Sequence, residues 1–279
     1  MSAPAAAVPA PRASQGELEN FLRVFFVGGL YAFRALFSWV TPWVYVPVLL
    51  VQPLFQILFF AFIGRAAGIE DDSFFVVGNA VVALSIATIF AMLFTIEGER
   101  GYQTLAALVA TPASRVALFL GRSVPVVANG AVVAAMALLS GSLVLRVHVP
   151  VSALGPLALT LVVVACSSTG LGLVVAAIGL RYRGGLVLAN MAGATFLIVS
   201  GANIPRDTLP GWMQWIGDAL PLTRAIEAAR ELVAGGTLGD VGGLLAVEAL
   251  IGLGYGLAGY RLLLFFERQG RRHATLEVF

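Results

Sequence analysis

Three charges fall within four positions at Glu97, Glu99 and Arg100, in the stretch EGERGYQTLAALVATPASR at 97–115, and apolar residues dominate on both sides of it. Clustered carboxylates and guanidinium make charge-assisted hydrogen bonds, which suit contact with a polar partner far better than contact with lipid. Gly101 permits a sharp backbone turn. From Tyr102 to Ala110, a stretch that includes Thr104, the residues Leu105, Leu108 and Val109 follow the i, i+3, i+4 spacing of a short helix. Thr111-Pro112 ends that helix, because the residue before a proline is pushed out of the helical region. A short helix with mixed charge on its leading edge reads as a docking surface for a soluble partner. An ordinary solvated connection is the alternative.

Few other residues offer chemistry. Glu248 lies in an apolar run, and an intramembrane carboxylate is expensive enough to be a functional candidate by default. Its expected partners are Arg224, Arg230 or water, with direct substrate contact as the alternative. Asn79, Asn129 and Asn190 read as hydrogen-bond donors between helices, and Asn79 is also a candidate for a substrate path or gate. Phe55 and Phe59 belong to a phenylalanine-rich segment that faces lipid, packs in the core or lines a hydrophobic substrate wall. Cys166 is the one cysteine, so no intrachain disulfide forms, and it reads as a small buried hydrophobe. His148 and His273 have no Cys or His neighbours at metal-ligand spacing, so no metal site is expected.

The 17 basic residues are all arginine. Without lysine there is no P-loop lysine, and a Walker-type ATPase is excluded for this chain, as is a lysine Schiff base. No catalytic constellation emerges, so the chain reads as a non-enzyme.

The elements that position these residues follow from composition. Of 279 residues 59% are hydrophobic and 11% charged, against about 25% charged in soluble domains. The apolar runs do not alternate as barrel strands would. Each is long enough, at about 20 residues, to cross a hydrocarbon core as a helix. The expected fold is therefore all-α, a polytopic membrane protein with six transmembrane helices at about 44–63, 74–96, 124–145, 154–180, 186–204 and 241–266. Residues 1–16 are Ala/Pro-rich, lack a basic segment ahead of an apolar one, and read as a disordered cytoplasmic tail. Residues 17–279 form the membrane domain. Its first part, 17–37, is amphipathic: Arg23 and Arg34 share one helical face while Leu22, Phe26, Gly29 and Phe33 share the other, as in a helix lying in the membrane interface. With both termini inside, twelve arginines fall on the cytoplasmic side and five outside, which is the positive-inside orientation.

Between the last two spans lies a long insert, 205–240, punctuated by Pro205, Pro210 and Pro221. Trp212 and Trp215, three apart, share a helical face and suit the headgroup level. After Pro221, Arg224, Glu227 and Arg230 recur at threefold spacing opposite Leu222, Ile226 and Ala229, and Gly235-Gly236 ends the pattern. The insert reads as an external re-entrant hairpin of two short helices capping an exit path. A simple external loop is the alternative.

Two of these stretches carry a family resemblance. EGERGYQTLAALVATPASR resembles the cytoplasmic loop of ABC type-2 exporter permeases, and SGANIPRDTLPGWMQWIGDALPLTRAIEAAR at 200–230 resembles their external segment. With the six-span order and the interfacial helix, the resemblance extends from about Glu17 to the C-terminus. It implies a bacterial inner-membrane exporter subunit that binds no cofactor itself, ATP and Mg being held by separate nucleotide-binding subunits. Glu97, Glu99, Arg100, Gly101, Thr104, Thr111 and Pro112 would form the coupling element that those subunits grip. Tyr102 and Gln103 stand where the family often has Thr directly after Gly. A second permease subunit, identical or paralogous, would complete the path within the lipid bilayer, and no nucleic acid is involved. PLTRAIEAAR resembles drug and lipo-oligosaccharide exporters more than long-polysaccharide exporters. It implies an amphipathic or lipid-like substrate, with polysaccharide or lipid-linked glycan export as the alternative. An ion-coupled secondary transporter would need titratable groups in several spans, and Glu248 alone supports it thinly.

The arginine asymmetry makes topology testable. Tags at the N-terminus, beside Gln103 and at the C-terminus should resist protease added to intact cells, and one beside Gly217 should be cleaved. Cleavage at the Gln103 site would reverse the orientation.

Overall fold

In lipid a backbone must satisfy its own polar groups, and the long apolar runs do so as helices. The computed structural model describes residues 17–38, 43, 47, 51–68, 71–101, 115–182 and 184–272. The expected tail at 1–16, the coupling helix at 102–110 with Thr104, and the Thr111-Pro112 stop lie outside the described residues. The helices are α1 (Glu17–Ser38), α2 (Gln52–Ala67), α3 (Asp72–Gly101), α4 (Arg115–Leu145), α5 (Leu154–Tyr182), α6 (Gly185–Val199), α7 (Gly211–Ala219), α8 (Thr223–Val233) and α9 (Leu238–Arg272). No strand occurs among the described residues.

Four of these helices, α3, α4, α5 and α9, are long and apolar enough to cross a membrane. Helix α6 has 15 residues, or about 22 Å at 1.5 Å per residue, less than a hydrocarbon core of about 30 Å. The described part of α2 has 16 residues. The expected span 186–204 stops early because α6 ends at Val199 and the chain bends through 200–204. Most of the first half of the expected span 44–63 lies outside the described residues.

Local chemistry explains the boundaries. The Asp71 Oδ1 accepts the Phe74 N–H at 3.1 Å and so caps the start of α3. The Asp240 carboxylate accepts both the N–H and the hydroxyl of Thr237, at 2.8 and 2.7 Å, starting α9. Gly68, at φ +63°, closes α2. Helix α3 remains helical through Gly101, so Glu97, Glu99 and Arg100 sit on its final turns; the expected sharp turn does not occur at Gly101 itself.

Helix α3 is the centre of the bundle, packed by α4 and α5 along its length and by α2, α6 and α8 at its sides. Helix α9 lies along α5, and α1 along α4. The α1–α4 contact uses Gly29 and Gly121, whose missing side chains admit the facing backbone; Leu22 and Phe26, on the expected apolar face, remain exposed. Cys166 is exposed on α5 and not a buried hydrophobe, because α5 turns its small residues Ser167, Ser168 and Gly170 to its neighbours.

The α5–α9 seam needs small residues. A Cβ on Gly170 would lie 2.7 Å from the Gly252 carbonyl oxygen and 2.9 Å from the Gly256 nitrogen, whereas one on Gly254 would meet nothing within 4 Å. Gly170→Val should therefore cost about 1–3 kcal/mol or more through overpacking, and Gly254→Val should be nearly silent. Thermal unfolding of the detergent-purified protein measures both. Equal effects would mean that the seam is not close-packed.

Candidate functional site

Helix α6 ends inside an apolar bundle, and the last carbonyls of a helix have no partners of their own. The chain then turns through Ser200–Ile204, with Gly201 at φ +81°. Ser200 and Asn203 serve the Phe196 and Leu197 carbonyls of α6, and Arg230, on α8, supplies donors to the carbonyls of the bend itself. Its Nη1 donates to the Gly201 carbonyl at 3.0 Å, and its Nη2 to the carbonyls of Ala202 at 3.1 Å and Phe74 at 3.0 Å. The guanidinium carbon also lies 3.4 Å from the centroid of the Phe74 ring, a cation–π contact. One side chain thus joins α8, the break after α6 and the start of α3.

A second connection is made by amides. The Asn79 Nδ2 donates to the Phe75 carbonyl at 2.9 Å within α3 and to Asn203 Oδ1 at 2.7 Å. Its Oδ1 accepts from Gln56 Nε2 at 2.9 Å, and Asn203 Nδ2 donates to the Leu197 carbonyl at 3.2 Å. The expected helix-to-helix role of Asn79 is present. Asn190, by contrast, bonds within its own helix, to the Leu186 carbonyl.

The segment 205–233 is two short helices, α7 and α8, as the proline and glycine punctuation implies. Pro205 precedes a single 3-10 turn, Arg206–Thr208, Pro210 precedes α7, and Pro221 lies in the connection to α8. Four charges brace the pair. Arg206 bonds Asp218 at 2.5 Å and Glu227 at 2.8 Å, and Arg224 bonds the same two carboxylates at 2.7 and 3.3 Å. Partial burial opposes the Arg206 charge, but the hydrogen bonds and charges of Asp218 and Glu227 outweigh it and raise its pKa above the ordinary arginine value. Trp212 and Trp215 both project outward, at 61% and 76% exposure.

Glu248 is wholly buried, and of the expected partners Arg224 acts on it through its charge and not through a hydrogen bond. Arg224 and Arg230 are engaged by Asp218 and Glu227 and by backbone carbonyls. Instead Glu248 Oε2 accepts the Leu222 N–H at 3.2 Å, immediately before α8. Leu222 is itself buried and holds φ at +141°, a region side-chain-bearing residues avoid. A carboxylate at a helix N-terminus satisfies an orphan donor and complements the helix dipole. The Ser167 hydroxyl donates to the Glu248 carbonyl at 3.0 Å, tying α5 to α9 beside it.

The residues singled out for a substrate path are therefore not gathered in one cavity. Asn79 and Glu248 are buried on opposite supports of the α7–α8 cap, while Phe55 and Phe59 project from α2 at 66% and 60% exposure. At the far end of α3, the Glu97 carboxylate occupies the space that side chains on Gly179 and Gly185 would fill, so it faces α5 and α6. Glu99 and Arg100 lie on the same final turn. Sequence reasoning overlooked Gln56, Asn203 and the backbone-clamping role of Arg230. Their signal was a polar residue at the edge of an apolar run, which alone does not identify a partner up to 156 residues away. A cavity of about 680 Å³ opens beside the clamp, bordered by Asp71, Asp72, Arg146, His148 and Arg230, and contains none of the expected path residues.

A family model described as ABC-2 type transporter matches residues 30–233, which include both resembling stretches and the whole of the cap. No curated protein matches the chain.

The capping role of Glu248 has a measurable consequence. Glu248→Leu leaves the buried Leu222 N–H without an acceptor and should destabilise the purified protein by about 1–3 kcal/mol. Glu248→Gln keeps an acceptor oxygen and should lose less. Thermal unfolding in detergent checks this, and a Leu variant as stable as the parent would remove the cap from the account.

Proposed function

The chain belongs to the ABC-2 type transporter family, and from that premise we propose that it is the transmembrane subunit of an ATP-driven exporter working as one half of a permease dimer. The observation that carries this reading is the span of α3. Its start is clamped to the α7–α8 cap at Phe74, and its final turn carries Glu99 and Arg100. At 1.5 Å per residue these ends lie about 40 Å apart, joined by one continuous helix buried over most of its length. Force applied at the charged end moves the clamped end with little loss, because a close-packed helix transmits displacement instead of absorbing it.

In this reading both termini are cytoplasmic, the membrane is the bacterial inner membrane, and α1 lies in its inner interface. The α7–α8 hairpin is external, with Trp212 and Trp215 at headgroup level. Nucleotide-binding subunits hold ATP and Mg and grip the element formed by Glu97, Glu99, Arg100, Gly101, Thr104, Thr111 and Pro112. ATP binding draws these subunits together and switches the path between the two permease halves from inward- to outward-open. The exposed Phe55 and Phe59 surface of α2 supplies an apolar wall for that path, which suits an amphipathic or lipid-like substrate. Lipid-linked glycan export is the second reading within the family.

Ion-coupled transport fits less well. Among the described residues the buried charged side chains are Arg122 and Glu248, on α4 and α9, and Glu248 is committed to the start of α8. A proton or ion relay needs several such groups in reach of one another.

Within the coupling element, Glu97 faces α5 and α6 while Glu99 and Arg100 continue the turn, so their variants should separate. Glu99→Ala/Arg100→Ala should leave folding intact, weaken binding of the ATPase subunits at least tenfold, and lower export relative to ATP hydrolysis. Charge-assisted bonds desolvated at an interface are worth roughly 1.5–3 kcal/mol each, enough for that loss. Glu97→Ala should chiefly lower thermal stability. Co-purification, vesicle export and ATPase rates measure these effects, and normal partner affinity and export in the double variant would refute the coupling role.

A further inference from the structure

We infer that Gln56, Asn79 and Asn203 form a latch through which α2 holds the external cap closed, with Asn79 as its positioning residue. The inference rests on the external placement of α7–α8 proposed above and deepens it.

The three side chains belong to three separate elements. Gln56 is on α2, Asn79 on the central α3, and Asn203 in the bend that leads into the cap. Asn79 is 1% exposed and Asn203 7%. Both amide hydrogens of Asn79 are in use, toward Phe75 and Asn203, and its oxygen receives Gln56. Rotating Asn79 to favour one neighbour would abandon the other, so its two long-range bonds stand or fall together. In apolar surroundings a broken amide bond leaves an unsatisfied group, which makes the joined state strongly preferred. The links are nevertheless uncharged, and breaking them costs far less than separating a buried ion pair.

The other cap contacts have a different character. The ion cluster of Arg206, Asp218, Arg224 and Glu227 lies wholly inside the cap and makes it rigid. Arg230 and Glu248 tie the cap to α3 and α9, and the buried Ala225, Ile226, Ala229 and Leu232 seat α8 in the core. The amide chain brings in α2, whose Phe55 and Phe59 lie on an exposed face beside the Gln56 position. A ligand or subunit that shifts α2 pulls Gln56 from Asn79 and loosens Asn203. The chain thereby links occupancy of the α2 face to the closure of the cap.

The test uses full-length protein in intact cells, with Cys166→Ser as background, since Cys166 is exposed. Ser200→Cys reports cap opening, because Ser200 is 1% exposed at the start of the bend. Trp215→Cys reports that the cap faces outward. The probe is a membrane-impermeant maleimide. The Trp215 cysteine should react rapidly in every background and the Ser200 cysteine slowly. Gln56→Met, which keeps the side-chain length and removes the donor, should speed Ser200 labelling at least tenfold without changing Trp215 labelling. Gln56→Ala serves the same purpose if the Met variant does not accumulate. Asn203→Leu should act alike, and the Gln56→Met/Asn203→Leu pair should label no more than about twofold faster than either single variant, because both act through Asn79. Unchanged Ser200 labelling in the Gln56 variants overturns the latch. So does a pair whose effect is the product of the singles, which is the behaviour of two independent packing defects. A Trp215 cysteine closed to the reagent overturns the external placement itself, and the latch with it.

Discussion

A helix that stops inside an apolar bundle exposes carbonyls where there is no water to receive them. That constraint governs the α6 end of this molecule. Helix α6 ends at Val199, too short to cross a hydrocarbon core, and the backbone turns back through Gly201. The carbonyls left there need donors, and the Arg230 guanidinium answers for two of them while also holding the Phe74 carbonyl of α3. Arginine suits this position because its donors form a rigid planar fork and its charge is permanent. The cation–π contact with Phe74 adds an apolar surface on which the charge rests.

Once that clamp is set, the rest of the cap follows. Helix α8 must present Arg230 to the break, so its start is fixed where Glu248 receives the Leu222 N–H. The buried Leu222 then accepts an unfavourable φ, and surrounding contacts over-determine it, as they must for such strain to persist. Helix α7 is held against α8 by two arginines sharing two carboxylates. These charges keep part of their surface in solvent, which screens them, so they brace the hairpin geometrically more than they stabilise the fold. The ion cluster braces α7 against α8, and α8 is seated in the bundle core through the buried Ala225, Ile226, Ala229 and Leu232.

The opposite end of α3 has another logic. Glycines at 179 and 185 leave room for the Glu97 carboxylate between α5 and α6, so one charge of the cluster serves the bundle. Membership of the ABC-2 type transporter family gives this end its meaning. In the proposed reading, separate ATPase subunits act on this polar end, and α3 is the element that runs from it to the Arg230 clamp.

Much of this was determined by the sequence alone. Apolar runs without alternation require helices, and Pro205, Pro210, Pro221 and Gly235 cut the insert into two short ones. Each of these effects acts within a few residues, so reading the chain in order recovers them. Tertiary structure decided the partners. Glu248 was legible as an expensive buried carboxylate, yet two nearby-numbered arginines were the natural guess, and the fold gives it a backbone N–H while turning the hydrogen bonds of those arginines elsewhere. The early end of α6 was also hidden, since Ser200–Ile204 are small or apolar enough to continue a span and the Arg230 clamp, with Ser200 and Asn203, makes the break affordable in lipid. The amide chain from Gln56 to Asn203 joins residues far apart in the chain. Hydropathy and spacing record what each residue tolerates, whereas a hydrogen bond between distant elements depends on which helix faces come together, and that is settled by the packing of the whole bundle.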